Sequence, residues 1–178
     1  LALGTRVLGI EPASHIAKQA ISEGVETIDE FFSVVLANRI VKKKGHAKII
    51  TANNVFAHIH DLDEVIKGLD VLLDDDGIFI TESPYLIDFL KKRYFDLVYH
   101  EHLSYWSLSS LMKLFKRFDM EVFDIQKVDA HGGSIRTFVK RKKAHFTISK
   151  NVTRFLQKEK EAELEKIETY QNFAKKIM

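Results

Sequence analysis

Apolar positions recur along the chain in two rhythms. RVLGI (6–10) is a short apolar run that halts at Glu11-Pro12, the pattern of a buried strand stopped by proline. Ile16, Ala17, Ala20 and Ile21 then recur at helical spacing towards Gly24, and a second stripe carries Phe31, Phe32, Val35, Leu36 and Ile40. KIITA (48–52) predicts another buried strand. Asp61 with Glu64 three residues on has the spacing of a capping box, and Leu62, Val65, Ile66, Leu69, Leu72 and Leu73 hold the helical period behind it. GIFIT (77–81) predicts a third strand. Strands and helices in this alternation imply a parallel sheet covered by helices, an α/β fold.

The second half changes character. Ser107 predicts the cap of a helix bearing Leu108, Leu111, Phe115 and Phe118. Residues 121–128 and 134–140, separated by the turn-rich DAHGG, predict an antiparallel hairpin at the sheet edge. From Asn151 the pattern predicts one long charged helix, with Phe155, Leu164, Ile167, Tyr170, Phe173 and Ile177 on one side. That stripe needs cover from a neighbouring element, a further domain or a second subunit. The expected organisation is an α/β domain over 1–145, N-terminally incomplete, and a helical extension over 146–178. No internal repeat or low-complexity linker interrupts it.

Composition narrows the chemistry. A net charge of +2 gives no argument for nucleic acid, and the basic runs at 42–44 and 140–143 read as solvated ends of elements. There is no cysteine, which removes disulfides, thiolate nucleophiles and cysteine-held zinc. No apolar run reaches membrane-spanning length and no signal-peptide layout opens the chain, so the expected setting is cytoplasmic.

In open α/β sheets ligands bind beyond the carboxyl ends of the parallel strands. Three such ends are polar here: Glu11-Pro12, ANNVFAHIH (52–60) and TESPY (81–85). Glu11 suits a ribose diol, since a carboxylate accepts from both hydroxyls, and it equally suits capping the next helix. Asn53 and Asn54 suit reading a bound base or satisfying loop backbone. His58 and His60 form one H-x-H and His100 and His102 another. In extended chain each pair would present two imidazoles to one metal ion. Tyr99, His100, Glu101 and His102 also make an acid–base set: a histidine to take a proton, a carboxylate to orient it, a phenol for a developing oxyanion. Hydrogen-bonded structural histidines are the plainer alternative to both.

GIEPA (9–13), ANNVFAHI (52–59), GIFITESPYL (77–86), FDLVYHEHLSYWS (95–107) and HGGSIRTFV (131–139) occur in an order that resembles the nucleotide-deoxysugar C-methyltransferases. The resemblance covers about residues 7–140. It implies methyl transfer from S-adenosylmethionine to the carbon beside the ketone of a nucleotide-linked 4-keto-deoxysugar, on a Rossmann-like class I sheet. It implies His102 as base, Tyr99 and Glu101 as sugar contacts, and His58 in the same pocket. Glu11, followed by Pro12, matches its ribose-binding acid, Asn53 and Asn54 fall where cofactor contact is expected, and no metal is expected at this site. Gly132, Gly133 and Arg136 recur in the pattern and suit a turn and strand packing.

Family chains are longer, with an N-terminal zinc domain, a first central strand with its glycine-rich loop, and a C-terminal domain. The resemblance therefore implies a partial chain with exposed sheet edges, weak binding of the methyl donor, and homo-oligomer contacts through those edges or the last helix. The competing expectations are a metal-dependent hydrolase using the two H-x-H pairs and a non-catalytic oligomerisation module.

Overall fold

A computed structural model describes residues 4–177. The chain forms two compact units, the first of residues 4–45 with 63–72 and the second of residues 46–62 with 73–177.

In the first unit β1 (Gly9–Ile10) pairs in parallel with β2 (Thr27–Ile28). The expected strand over 6–10 thus shrinks to two residues, and β2 carried too short an apolar run to be read. Gly9 is required there, because a Cβ would sit 2.7 Å from the Thr27 hydroxyl. Three helices complete the unit: α1 (Ser14–Ser22), α2 (Val34–Lys44) and α3 (Leu62–Leu72). Helix α2 buries Leu36, Ala37 and Ile40, whereas Phe31 and Val35 of the expected stripe are exposed. Glu64 accepts the backbone N–H of Val34 at 2.9 Å, so the carboxylate read as half of a capping box also caps the neighbouring helix.

The second unit holds a four-stranded sheet of β3 (Ala47–Asn53), β4 (Leu73–Pro84), β5 (Met120–Val128) and β6 (Ser134–Arg141) in the order β3-β4-β6-β5. β3 and β4 run parallel; β6 runs antiparallel to both β4 and β5. The hairpin forms as expected, although β6 lies inside the sheet and only β5 takes the edge. Alternation places Phe79, Thr81 and Ser83 opposite Val139, Thr137 and Ile135 on one buried face. Against that face α5 (Leu108–Lys116) sets Leu108, Leu111 and Phe115, and its Ser107 cap is real, closing a capping box with Ser110. Phe56, on a one-turn helix over Phe56–His58, packs its ring 5.5 Å from Phe79, 6.0 Å from Phe115 and 6.1 Å from Trp106. Burying such a side chain contributes about 1.5–3 kcal/mol. It also pins the turn that carries His58.

Short α4 (Leu86–Lys92) follows β4 and was invisible to periodicity, spanning under two turns. The expected single terminal helix is two: α6 (Lys150–Glu161) and α7 (Ile167–Ile177). Glu163 adopts φ +52° at the break, and Thr169 and Tyr170 donate their hydroxyls to the freed carbonyls of Glu163 and Leu164. Helix α6 is joined to the sheet, with Val152 and Phe155 buried and Asn151 donating to Asp124 at 3.0 Å. The division at 145/146 remains a sequence expectation. Lys140, read as a solvated strand end, is only 3% exposed; it pairs with Glu121 at 2.6 Å and donates to the Ala144 carbonyl.

Candidate active site

The loop after α4 is short of regular structure and rich in side-chain functions. Its entry is set by Arg93 in the left-handed region (φ +56°), and Phe95–Leu97 make one helical turn. A turn then closes from the N–H of His102 to the carbonyl of Tyr99 at 3.1 Å. The exit is tied down twice: Leu103 donates its N–H to Ala57 at 2.8 Å, and Trp106 bridges to Tyr85 and accepts from the Leu86 N–H at 3.0 Å. These anchors hold His102 against the turn that bears His58, with ring centroids 4.9 Å apart.

Hydrogen bonds assign the tautomers. Nδ1 of His102 lies 2.8 Å from the carbonyl oxygen of Leu97, which can only accept, so Nδ1 carries the proton of the neutral ring. Nε2 is then the basic nitrogen, and the Tyr99 hydroxyl approaches it at 3.3 Å. His58 repeats the arrangement, with Nδ1 2.9 Å from the Glu101 carbonyl. The Tyr105 hydroxyl donates to the same Leu97 oxygen at 3.1 Å. Burial, with a smaller contribution from Tyr99, holds the Tyr105 phenol above its ordinary pKa, so it remains a proton donor at neutral pH. A small cavity of ≈ 10 Å³, walled by Pro84, Phe89, His102, Tyr105 and Trp106, opens beside the imidazole. The Trp106 indole N–H is buried and has no acceptor among the described residues.

The two H-x-H pairs are not presented as pairs. Local turns replace extended chain at both places, and one histidine from each, His58 and His102, comes together instead. His60 is exposed, and His100 is 89% exposed, with the Glu101 carboxylate at 3.9 Å and the Tyr99 ring edge-on at 6.2 Å. Among the described residues no group of three or more histidine, aspartate or glutamate side chains converges. Glu101 supplies its backbone carbonyl to the site; its carboxylate is 61% exposed and turned to His100. Tyr105 and Trp106, which the sequence presents only within the FDLVYHEHLSYWS motif, join the site through the fold.

The strand ends hold the other candidates. In the first unit Glu11, half-buried after β1, accepts the Ala13 N–H on Oε1 at 2.8 Å. It therefore caps α1, which has no side-chain cap at Ala13 itself, and Oε2 keeps no partner among the described residues. Pro12 is exposed beside it. In the second unit Asn53 ends β3, exposed, in register with Glu82. Asn54 takes φ +54° and donates its backbone N–H to the Glu82 carbonyl at 2.8 Å, and its Oδ1 is buried with no donor among the described residues. Glu82 itself is buried and ion-paired with Arg136 at 2.8 Å, so Arg136 is held by the sheet.

A mixed α/β sheet with flanking helices is an architecture shared with known methyltransferases. A SAM-dependent methyltransferase from Anabaena variabilis has a similar fold, with a TM-score of 0.57 at 14% identity over 76% of this chain and 68% of that one. So has magnesium protoporphyrin IX methyltransferase from Synechocystis, solved with bound SAH, with a TM-score of 0.58 at 13% identity over 79% and 66%. The chain belongs to the methyltransferase-domain family, whose description matches residues 2–125; residues 129–178 match the C-methyltransferase C-terminal domain. The C-methyltransferase NovU of Streptomyces niveus is 38% identical over 171 residues, 96% of this chain and 41% of NovU. The chain thus spans about two fifths of that relative's length.

Proposed function

We propose that this chain provides the catalytic centre of an S-adenosylmethionine-dependent C-methyltransferase acting on the carbon beside the ketone of a nucleotide-linked 4-keto-deoxysugar. The supporting observation is the 2.8 Å contact of His102 Nδ1 with the Leu97 carbonyl, which leaves Nε2 as a base fixed in direction. The name of NovU supports C-methylation, and the motifs around Tyr99–His102 support the keto-sugar.

A C–H beside a carbonyl is acidic because the carbanion delocalises onto oxygen. Nε2 of His102 takes that proton, and the C–H electron pair becomes the enolate. Tyr99, whose hydroxyl lies at Nε2 in the free site, donates to the enolate oxygen once substrate replaces that contact. His58 presents a second imidazole to the same place, oriented by the Glu101 carbonyl. When bound, S-adenosylmethionine would supply the methyl group to that carbon from its cationic sulfur, the S–C electron pair staying on the sulfur of the departing neutral thioether. Donor contacts are proposed for each unit by itself, Glu11 with Pro12 in the first and Asn53 with Asn54 in the second. The free Oε2 of Glu11 suits a ribose hydroxyl, and the orphaned Oδ1 of Asn54 suits a cofactor donor.

Exchange of solvent deuterium into the substrate α-carbon isolates the proton step from transfer. The His102→Ala variant should lose exchange and turnover together, by roughly 10²–10⁴-fold, while titration with S-adenosylmethionine remains nearly unchanged. Exchange persisting at the wild-type rate in that variant refutes the base assignment.

A further inference from the structure

The Leu97 carbonyl oxygen accepts from two side chains, His102 Nδ1 at 2.8 Å and the Tyr105 hydroxyl at 3.1 Å. A carbonyl carries two lone pairs, so both donors fit on it. Leu97 closes the helical turn Phe95–Leu97, and Val98 leaves that turn with φ −85° and ψ 89°, outside the helical region. The chain therefore departs before a helical N–H reaches the Leu97 oxygen. A freed helix-end carbonyl is held by side chains or by water.

The two side chains that hold it differ in what stands behind them. His102 is the group being oriented, so its own bond cannot also fix the acceptor. Tyr105 has outside support. Leu103, two residues before it, donates to the Ala57 carbonyl at 2.8 Å, and Trp106, next after it, accepts from the Leu86 N–H at 3.0 Å. The Tyr105 ring packs 5.1 Å from that of Phe89 on α4. Its phenol is raised by burial first and by Tyr99 second, so it keeps its proton and stays a donor at neutral pH. The plainer account makes Tyr105 a wall of the cavity beside His102. Wall-building needs the ring alone, whereas the hydroxyl meets the very oxygen that orients the imidazole.

We propose that Tyr105 is a positioning residue, whose hydroxyl pins the Leu97 carbonyl and so keeps the His102 imidazole in its Nδ1–H tautomer with Nε2 turned to the substrate. The inference rests on the reading of His102 as the base. An unconstrained neutral imidazole favours the Nε2–H form, and the partner of the other nitrogen decides which form prevails. A carbonyl released from Tyr105 would swing and let the ring take that form. Nε2, the nitrogen beside the Tyr99 hydroxyl, would then hold a proton and accept no other. Two donors on one oxygen each weaken the other slightly, so Tyr105 acts by fixing the place of the oxygen and not by strengthening the Nδ1 contact.

Tyr105→Phe keeps the ring on Phe89 and removes the hydroxyl alone, and two measurements on it test the proposal. Nitrogen-15 spectra of the free protein should show the neutral His102 ring changing from the Nδ1–H tautomer to a mixture with Nε2–H. Exchange of solvent deuterium into the α-carbon of a nucleotide-linked 4-keto-deoxysugar, at saturating substrate, should fall roughly tenfold with KM little changed, because slight misplacement of a reacting group costs up to about 10²-fold. Circular dichroism and melting temperature should stay close to the parent's, as the packed ring is retained. Spectra that match the parent's, or exchange at the parent's rate, overturn the proposal and leave Tyr105 as a wall of the cavity. Failure of the methyl-transfer reading shows differently, as exchange that persists in His102→Ala, whereas the tautomer change is read from the free chain without substrate.

Discussion

Nδ1 of His102 and the carbonyl oxygen of Leu97 stand 2.8 Å apart, five residues from one another in the chain. A backbone acceptor is a sturdier orienter than a carboxylate, because no side-chain substitution removes it. Nitrogen-15 correlation spectra of the free protein should therefore show the His102 ring, when neutral, protonated at Nδ1. An Nε2–H tautomer would take away the base that the mechanism uses.

Tyr99 makes the next prediction. Its hydroxyl is 3.3 Å from Nε2 and its ring 4.3 Å from the imidazole. Tyr99→Phe keeps the ring contact and deletes the hydroxyl proposed to donate to the enolate oxygen. Loss of one oxyanion donor costs about 10²–10³ in kcat in a well-developed hole, and less where His58 can compensate. Steady-state kinetics should show kcat falling at least tenfold with little change in KM. A change confined to KM would make Tyr99 a binding group only.

Glu11 tests the donor assignment. Glu11→Gln keeps an oxygen for the Ala13 N–H and so keeps the α1 cap, but removes the charge and one acceptor. Affinity for S-adenosylmethionine should fall roughly tenfold, the worth of a charge-assisted hydrogen bond, with the melting temperature nearly unchanged. Equal affinities in calorimetry would leave Glu11 with its capping role alone.

How much of this was legible depended on whether the cause was local. Ser107 announces a cap because three-residue spacing suffices, and the hairpin over 120–141 shows because alternation and a glycine turn lie together in sequence. Tyr99, His102 and His58 stood out as chemistry, yet their grouping depended on turns that no alternation reveals. The extended-chain rule paired His100 with His102, whereas the fold pairs His58 with His102. Lys140 was misread because Glu121, 19 residues away, only becomes its partner once the hairpin registers. The terminal helix kept its apolar stripe across the break, so periodicity could not see where Glu163 turns left-handed. Glu159 looked like one more charge on a solvated face.

Glu159 is in fact 4% exposed, and its two oxygens accept the N–H groups of Leu108 at 2.5 Å and Ser109 at 2.9 Å. A carboxylate from α6 thus caps α5 across 50 residues and benefits from the helix dipole. Glu159→Ala would strand two helix N–H groups, costing about 2 kcal/mol. Urea denaturation should show that loss, with kcat per folded molecule unaltered. A stability within a few tenths of wild type would show that solvent replaces the cap.

Tyr85 governs the alkaline limit. It is 3% exposed, and burial first, then the nearby Glu159 charge, push its phenol far above the ordinary tyrosine value. Up to about pH 10 both folded and unfolded chains keep the proton, and the residue is silent. Above that the unfolded chain ionises while the native state holds its proton, so stability drops by about 1.4 kcal/mol per pH unit from this group. Tyr105 and Tyr170, also raised by burial, add to the same slope. Tyr85→Phe removes the ionisation together with a buried hydroxyl beside Glu159, so its denaturation midpoint should fall less steeply between pH 9.5 and about 11. Parallel curves for the variant and the wild type would mean that the Tyr85 phenol ionises in the native protein about as readily as in the unfolded chain.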